Sequence, residues 1–203
     1  QESRGLGDVY KRQVSTLMKD KSDYHHGDLR EALLKVARET LETSGANGLS
    51  LRDLARKAGV SHSAPYRHFA SRQDLLVALA TAGFNELSQC LKEKEGKSLK
   101  AMGQAYVAFA IANPELYKLM FSPELDRKQP LLLSEAASEA FDRLQKKTEA
   151  ITQDTTLTLA AWAMVHGLSG MLIDRLVADE LLEPDQLPGL VESVLGHLGV
   201  SVK

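Results

Sequence analysis

Residues 28–43 place Leu29, Leu33, Val36, Ala37, Thr40 and Leu41 at a spacing near 3.6 residues, which predicts an amphipathic helix with one apolar stripe. Gly45 and Gly48 close it with a loop. Ser50 stands three residues before Asp53, the pattern of a capping box with a shortened acid, and Leu51, Leu54, Ala55 and Ala58 form the buried face of a short second helix. Gly59 breaks that helix, supplying the positive φ that a sharp turn requires. Val60 is then the apolar plug after the turn, and Ser61 the expected N-cap of a third helix. Ser71 and Asp74 repeat the capping pattern ahead of a long fourth helix carrying Leu75, Leu76, Leu79, Phe84, Leu87 and Leu91.

Beyond Gly96 the pattern becomes more apolar. Residues 99–112 stop at Asn113-Pro114, where the proline opens a short helix holding Leu116, Leu119 and Met120. Pro123 and Pro130 bracket a polar loop. Residues 131–151, 155–177 and 183–198 read as three further helices, the middle one largely apolar. No strand alternation or internal repeat emerges. The expected fold is all-α with about nine helices: a three-helix head over residues 24–88, with a helix-turn-helix motif at 50–69, and a larger helical body over 89–203.

Composition narrows the picture. With 203 residues, 43% of them apolar, and a net charge of -2, the chain has enough apolar material for a core and too little charge for disorder. No run of about 18 uncharged apolar residues is read from the pattern, so no membrane partner is expected. One cysteine, Cys90, excludes an intramolecular disulfide and a multi-cysteine zinc site, and fits a reducing cytoplasm. Four of the six histidines (His25, His26, His62, His68) lie in the front part, which is mildly basic, whereas the rear is acidic. Residues 1–13, QESRGLGDVYKRQ, have no apolar period and look like the in-frame translation of a transposase-type sequencing adapter. Residues 1–17 are accordingly expected to be a non-native or disordered segment.

The turn at Ala58-Gly59-Val60 carries the functional expectation. Small residues where two helices cross, a glycine in the turn and an apolar residue after it are what a helix-turn-helix requires. The third helix would project Ser61, His62, Ser63, Tyr66 and Arg67, groups that donate to phosphates and reach base edges, and no acid occurs from Ala55 to Gln73. An ordinary helical hairpin in a bundle would share the bare pattern. The longer string SLRDLARKAGVSHSAPYRHFASRQDLL, residues 50–76, resembles the DNA-binding head of the TetR family of bacterial transcriptional regulators, and YHHGDLREALLKVA, residues 24–37, looks like that family's first helix.

The resemblance implies roles residue by residue. Ser50, Tyr66, His68 and Arg72 match positions that usually hold phosphates, and Arg52, His62, Ser63 and Ala64 match positions that face bases. Arg56 and Lys57 would steer by charge, while Val60 and Phe69 would be core. Pro65 departs from the family, which often has a leucine or another apolar residue there; it predicts a tightened or irregular start to the recognition helix. Double-stranded operator DNA and a second copy of the chain are the implied partners, with the two recognition helices one DNA turn apart.

In the body, AAWAMVHGLSGMLI with Trp162, His166 and Gly167 resembles an effector domain of the Trp-His-Gly type, and NPELYKLMF, residues 113–121, fits the same subgroup. Met102, Tyr106, Phe109, Tyr117, Met120, Phe121, Trp162 and His166 are the expected lining of a pocket for a small apolar effector. Leu168, Leu172 and Leu176, with Leu187, Val191, Val194 and Leu198, are the expected dimer seam. The mechanism expected is a two-state repressor that leaves its operator when effector binds; activation is equally compatible with DNA binding. A helical protein-interaction module without DNA binding is the alternative. An enzyme is the lesser one: His166 and Asp174 lie eight residues apart, and no phosphate loop, HExxH or nucleophile elbow occurs. No cofactor, metal site or catalytic set is expected.

Overall fold

The computed structural model describes residues 26–125 and 131–197. Among the described residues there are eight α-helices and no strand: α1 (His26–Ser44), α2 (Leu51–Lys57), α3 (Arg72–Lys92), α4 (Leu99–Ala112), α5 (Pro114–Met120), α6 (Leu131–Glu149), α7 (Thr156–Ile173) and α8 (Leu187–Gly196). The all-α reading holds. The N-terminal bounds of α2 and α3 follow their capping serines: the Ser50 hydroxyl accepts from Asp53 N, and Ser71 makes the reciprocal capping box with Asp74. Pro114 opens α5 as the sequence predicts.

The head packs Leu33, Leu41, Leu54, Phe69, Leu75 and Leu76 into a closed apolar centre. That core continues along α3 through Leu79 and Leu87 to Met102, Leu116, Met120 and Leu195, so head and body share one contiguous interior. α3 lies along α6 and touches α4 and α5, which makes it the spine of the molecule. Gly83 is where α5 crosses that spine: a Cβ there would stand 2.7 Å from Met120 Sδ and 2.9 Å from Leu116 Cδ2.

Several expectations change. The segment after the Gly59 turn is not an α-helix: it is a chain of turns with a 3-10 helix at Pro65–Arg67. The reason is covalent. The Ser61 carbonyl would receive the fourth-residue bond from position 65, but proline has no N–H, so Ala64 N takes that carbonyl instead at 3.0 Å. The i+3 pattern then continues with Arg67 N to Ala64 O and His68 N to Pro65 O. Ser61 consequently caps nothing there. Val60 is half-buried and lies outside the core, whereas Pro65 and Phe69 are buried and anchor the segment.

α7 ends at Ile173, four residues before the expected stop. Arg175 adopts φ 54°, and Leu176 N reaches back to Met171 O at 2.8 Å, a left-handed stop without the glycine that would announce it. α7 also corrects the membrane expectation. Its 18 residues have mean hydropathy 1.4 and include no Asp, Glu, Lys or Arg, which is long and apolar enough to cross a bilayer. In this fold it packs against α4 and α6 instead.

Candidate nucleic-acid interface and body cavity

The head's turn is locked by its backbone. Gly59 takes φ 68°, Val60 N bonds Ala55 O at 3.0 Å and Gly59 N bonds Arg56 O, the two closures of a glycine-stopped helix. Phe69 is buried under the segment and Arg30 of α1 stacks 5.5 Å above its ring. Between these anchors Ser61, His62, Ser63, Tyr66 and Arg67 are exposed, Tyr66 to 52%. The Ser61 and Ser63 hydroxyls lie 3.5 Å apart. Arg52 is exposed on α2, and with Asp53, Ala55, Arg56 and Val60 it shares a shallow depression with His62; the Asp53 carboxylate there is engaged by Ser50 and Arg56. Donors from two elements thus converge on one face, as recognition of a polyanion requires.

Other expected contacts are tied into the head itself. Arg72 donates from Nε to Leu49 O (3.1 Å) and from Nη2 to Ala46 O (2.6 Å), joining α3 to the loop before α2. The Ser50 hydroxyl donates to Asp53 Oδ2 at 2.7 Å. That bond first, and Arg56 second, hold the Asp53 carboxyl below its ordinary value. Lys57 donates to Thr40 Oγ1 at 2.8 Å, pinning α2 to α1. His68 and Ala64 are half-buried. The Arg72 and Lys57 ties were not legible in residue spacing, because each partner lies on another element or on backbone.

The body encloses a cavity of about 300 Å³ between α3, α4, α6 and α7. Of the residues expected to line an effector pocket, Met102, Tyr106, Phe121 and Trp162 line this cavity, whereas Phe109, Tyr117, Met120 and His166 do not. Phe109, Tyr117 and Met120 are buried in the core instead. The sequence reading missed the contribution of α3 (Phe84, Leu87, Leu91) and of α6 (Ala137, Phe141, Leu144). Their apolar spacing was visible, but it marks a helix face without saying whether neighbouring atoms or a void will meet it.

Behind the cavity wall sits a polar knot. Tyr117 Oη lies 2.6 Å from His166 Nδ1, and Tyr106 Oη lies 3.2 Å from both Tyr117 Oη and His166 Nδ1. Burial pushes the Tyr117 hydroxyl up to about 12 and the Tyr106 hydroxyl up as well. Burial also holds His166 below the ordinary imidazole value. A neutral imidazole accepting from a protonated phenol is therefore the resting arrangement. The sign follows: an unfolded chain takes up this proton near pH 6.5, the folded one only at lower pH, so stability falls as pH drops below about 6.5. Urea unfolding at pH 7.5 and 5.5 should show that loss, and His166→Gln should shrink it; an equal loss in the variant assigns it elsewhere.

The residues expected to form a dimer seam are largely packed within the chain itself. Leu168 and Leu172 are buried in the chain's own core, as is Val191, while Leu187 and Val194 are half-buried against it. Leu176 is exposed but lies beyond the end of α7, and Leu198 falls outside the described residues. α7 is apolar nearly all round, so periodicity alone did not say which face turns inward. Thr158, Ala161, Val165, Leu168, Ser169 and Leu172 turn into the bundle. The outward face of α7 carries Leu159, Ala160, Ala163, Gly167 and Met171.

Comparison with known proteins agrees with this architecture. A family model described as bacterial regulatory proteins, tetR family, matches residues 33–79, and one described as tetracyclin repressor-like, C-terminal domain, matches residues 99–188. The uncharacterized HTH-type transcriptional regulator YobS of Bacillus subtilis (strain 168) is 28% identical over 111 residues, 52% of this chain and 58% of that protein. The chain thus spans less than two thirds of that relative's length. Nucleoid occlusion factor SlmA of Vibrio vulnificus (strain YJ016) is 26% identical over 160 residues, 75% of this chain and 78% of that one. A solved structure of a protein of unknown function from Rhodococcus sp. RHA1 is 35% identical and superposes with a TM-score of 0.67, covering 87% of this chain and 94% of that one. A TetR/AcrR family regulator from Thermobifida fusca YX-ER1, at 21% identity and a TM-score of 0.61 over 87% of this chain and 99% of that one, shares the fold. With a head and a body that each match the family over their own residues, this chain belongs to the tetR family of bacterial regulatory proteins.

Proposed function

We propose that the chain is a sequence-specific DNA-binding transcriptional regulator, a homodimeric repressor that leaves operator DNA when a small effector occupies the body cavity. The observation that carries the reading is the acid-free segment 61–67, which holds His62, Ser63, Tyr66 and Arg67 outward while Pro65 and the following Phe69 are buried. Arg52 and His62 are assigned to base edges with Ser63, and Tyr66 and Arg67 to phosphates. Ser50, Ala64, His68 and Arg72 position this surface, with any contact of their own to DNA secondary. The outward face of α7 is the dimer seam in this reading, which explains why so apolar a face is left uncovered in one chain. The body is assigned to the Trp-His-Gly effector type, Trp162 and His166 having ring centroids 5.7 Å apart, and the protein to the bacterial cytoplasm.

The test is a gel shift on the intergenic DNA beside its own gene, across a range of salt. Arg67→Ala should weaken binding to every DNA and reduce the slope of log affinity against log salt by about 0.9. An unchanged slope removes Arg67 from the phosphate contacts, and absence of any retarded species removes the DNA-binding reading.

A further inference from the structure

The cavity has a chemistry that an effector site in general does not specify. Resting on the proposal that this cavity is the effector site, we infer that its ligand is a lipophilic organic cation, with an apolar body inside and an ammonium-type head at the α6 mouth beside Asp142. The walls are aromatic on several sides, with Phe84, Tyr106, Phe121 and Trp162 inside and Phe141 at the rim. Asp142 is the one charged residue among the described residues lining it, and no lysine, arginine or histidine joins it. The Tyr106 hydroxyl, turned to Tyr117 and His166, is already engaged.

A second depression shares Phe141 and has the same sign. Its acids are Glu149 and Asp154, again with no basic residue in the lining. Asp154 accepts from Thr156 N and Thr156 Oγ1, bonds that hold its carboxyl below the ordinary value and keep it charged. Of the basic residues near Asp142 on the same helix, Arg143 and Lys147 are bound to Glu139 and Glu95 and to Ser88, and Lys146 is exposed outside both linings. Phe141, 38% exposed and edge-on to Trp162 at 5.8 Å, stands between the two depressions.

These features rank the ligands. An organic anion would bring its charge to Asp142 and find no donor to replace its water. A neutral lipophile would gain the apolar walls alone. A cation gains those walls, the aromatic faces and the carboxylate, and the acidic approach draws it in.

The experiment uses the full chain and three probes of one shape: 4-phenylbutylamine, 4-phenylbutanol and 4-phenylbutyrate. Trp162, the chain's single tryptophan, lines the cavity and reports occupancy by its fluorescence. The amine should bind at least tenfold tighter than the butyrate, with the alcohol between. Asp142→Asn should erase the amine's advantage over the alcohol, and Asp142→Lys should reverse the order of amine and butyrate. Asp142 is exposed, so neither variant disturbs the core. Alcohol binding as tightly as amine, or butyrate binding tighter, overturns the cation and leaves the effector cavity standing. Silence of Trp162 toward all three at millimolar concentration overturns both.

Discussion

Leu116→Ala is expected to destabilise the protein by about 2–5 kcal/mol, the range for deleting a fully buried leucine side chain. Leu116 is 0% exposed and sits on α5 where that helix crosses Gly83 of α3. The surrounding side chains belong to the longest helix and to the shared core, so the site has little room to collapse. Typical domains hold about 5–15 kcal/mol in all, so the loss is a large fraction of the total. Gly83→Ala attacks the same contact from the other side. Its methyl would press on Met120 and Leu116, an overpacking cost of about 1–3 kcal/mol, offset in part by the better helix propensity of alanine. In the double variant the new methyl enters the space the leucine vacates. The two changes should therefore be less than additive, by about 0.5–3 kcal/mol. Urea unfolding of the four proteins measures this cycle. Strict additivity would mean that α3 and α5 do not touch at Gly83.

That junction shows what the sequence could and could not convey. The helix starts were legible because Ser50, Ser71 and Pro114 act on their own next few residues. The stop at Gly59 was legible for the same reason. The stop at Arg175 was not, since no residue type there favours left-handed backbone. Pro65 announced an irregular start, but how far the helix would be lost depended on where the Ser61 carbonyl found another donor. Pairings across elements stayed hidden: Arg72 with the Ala46 and Leu49 carbonyls, and His166 with two tyrosines 49 and 60 residues away in sequence. The inward face of α7 was hidden for a different reason: a helix apolar on every side has no periodicity to read.

A Glu42→Ala variant is expected to keep operator affinity and lose most of its response to ligand. Glu42 lies in the last turn of α1, in the head, and its carboxylate accepts from Glu115 N (3.2 Å) and Leu116 N (3.1 Å) at the start of α5, in the body. Those N–H groups have no partner within α5, and the negative charge suits the positive end of that helix. Arg38 braces the same point, 3.6 Å from Glu42 and donating to Asn113 Oδ1 at 2.7 Å. At its other end α5 runs into Phe121, which lines the cavity, and it carries Tyr117 of the polar knot. A ligand that displaces Phe121 therefore moves a helix whose first turn is held by the head. In the Glu42→Ala protein the same movement would slide past α1. Coupling in such systems is about 1–3 kcal/mol, or 5–150-fold, and it is reciprocal. Operator DNA should weaken amine binding at Trp162 by that factor in the parent and by a factor near one in Glu42→Ala. Glu42→Gln, which keeps an acceptor but not the charge, should fall between them. If the ratio in Glu42→Ala equals that of the parent, the signal reaches the head along α3 and not through this cap.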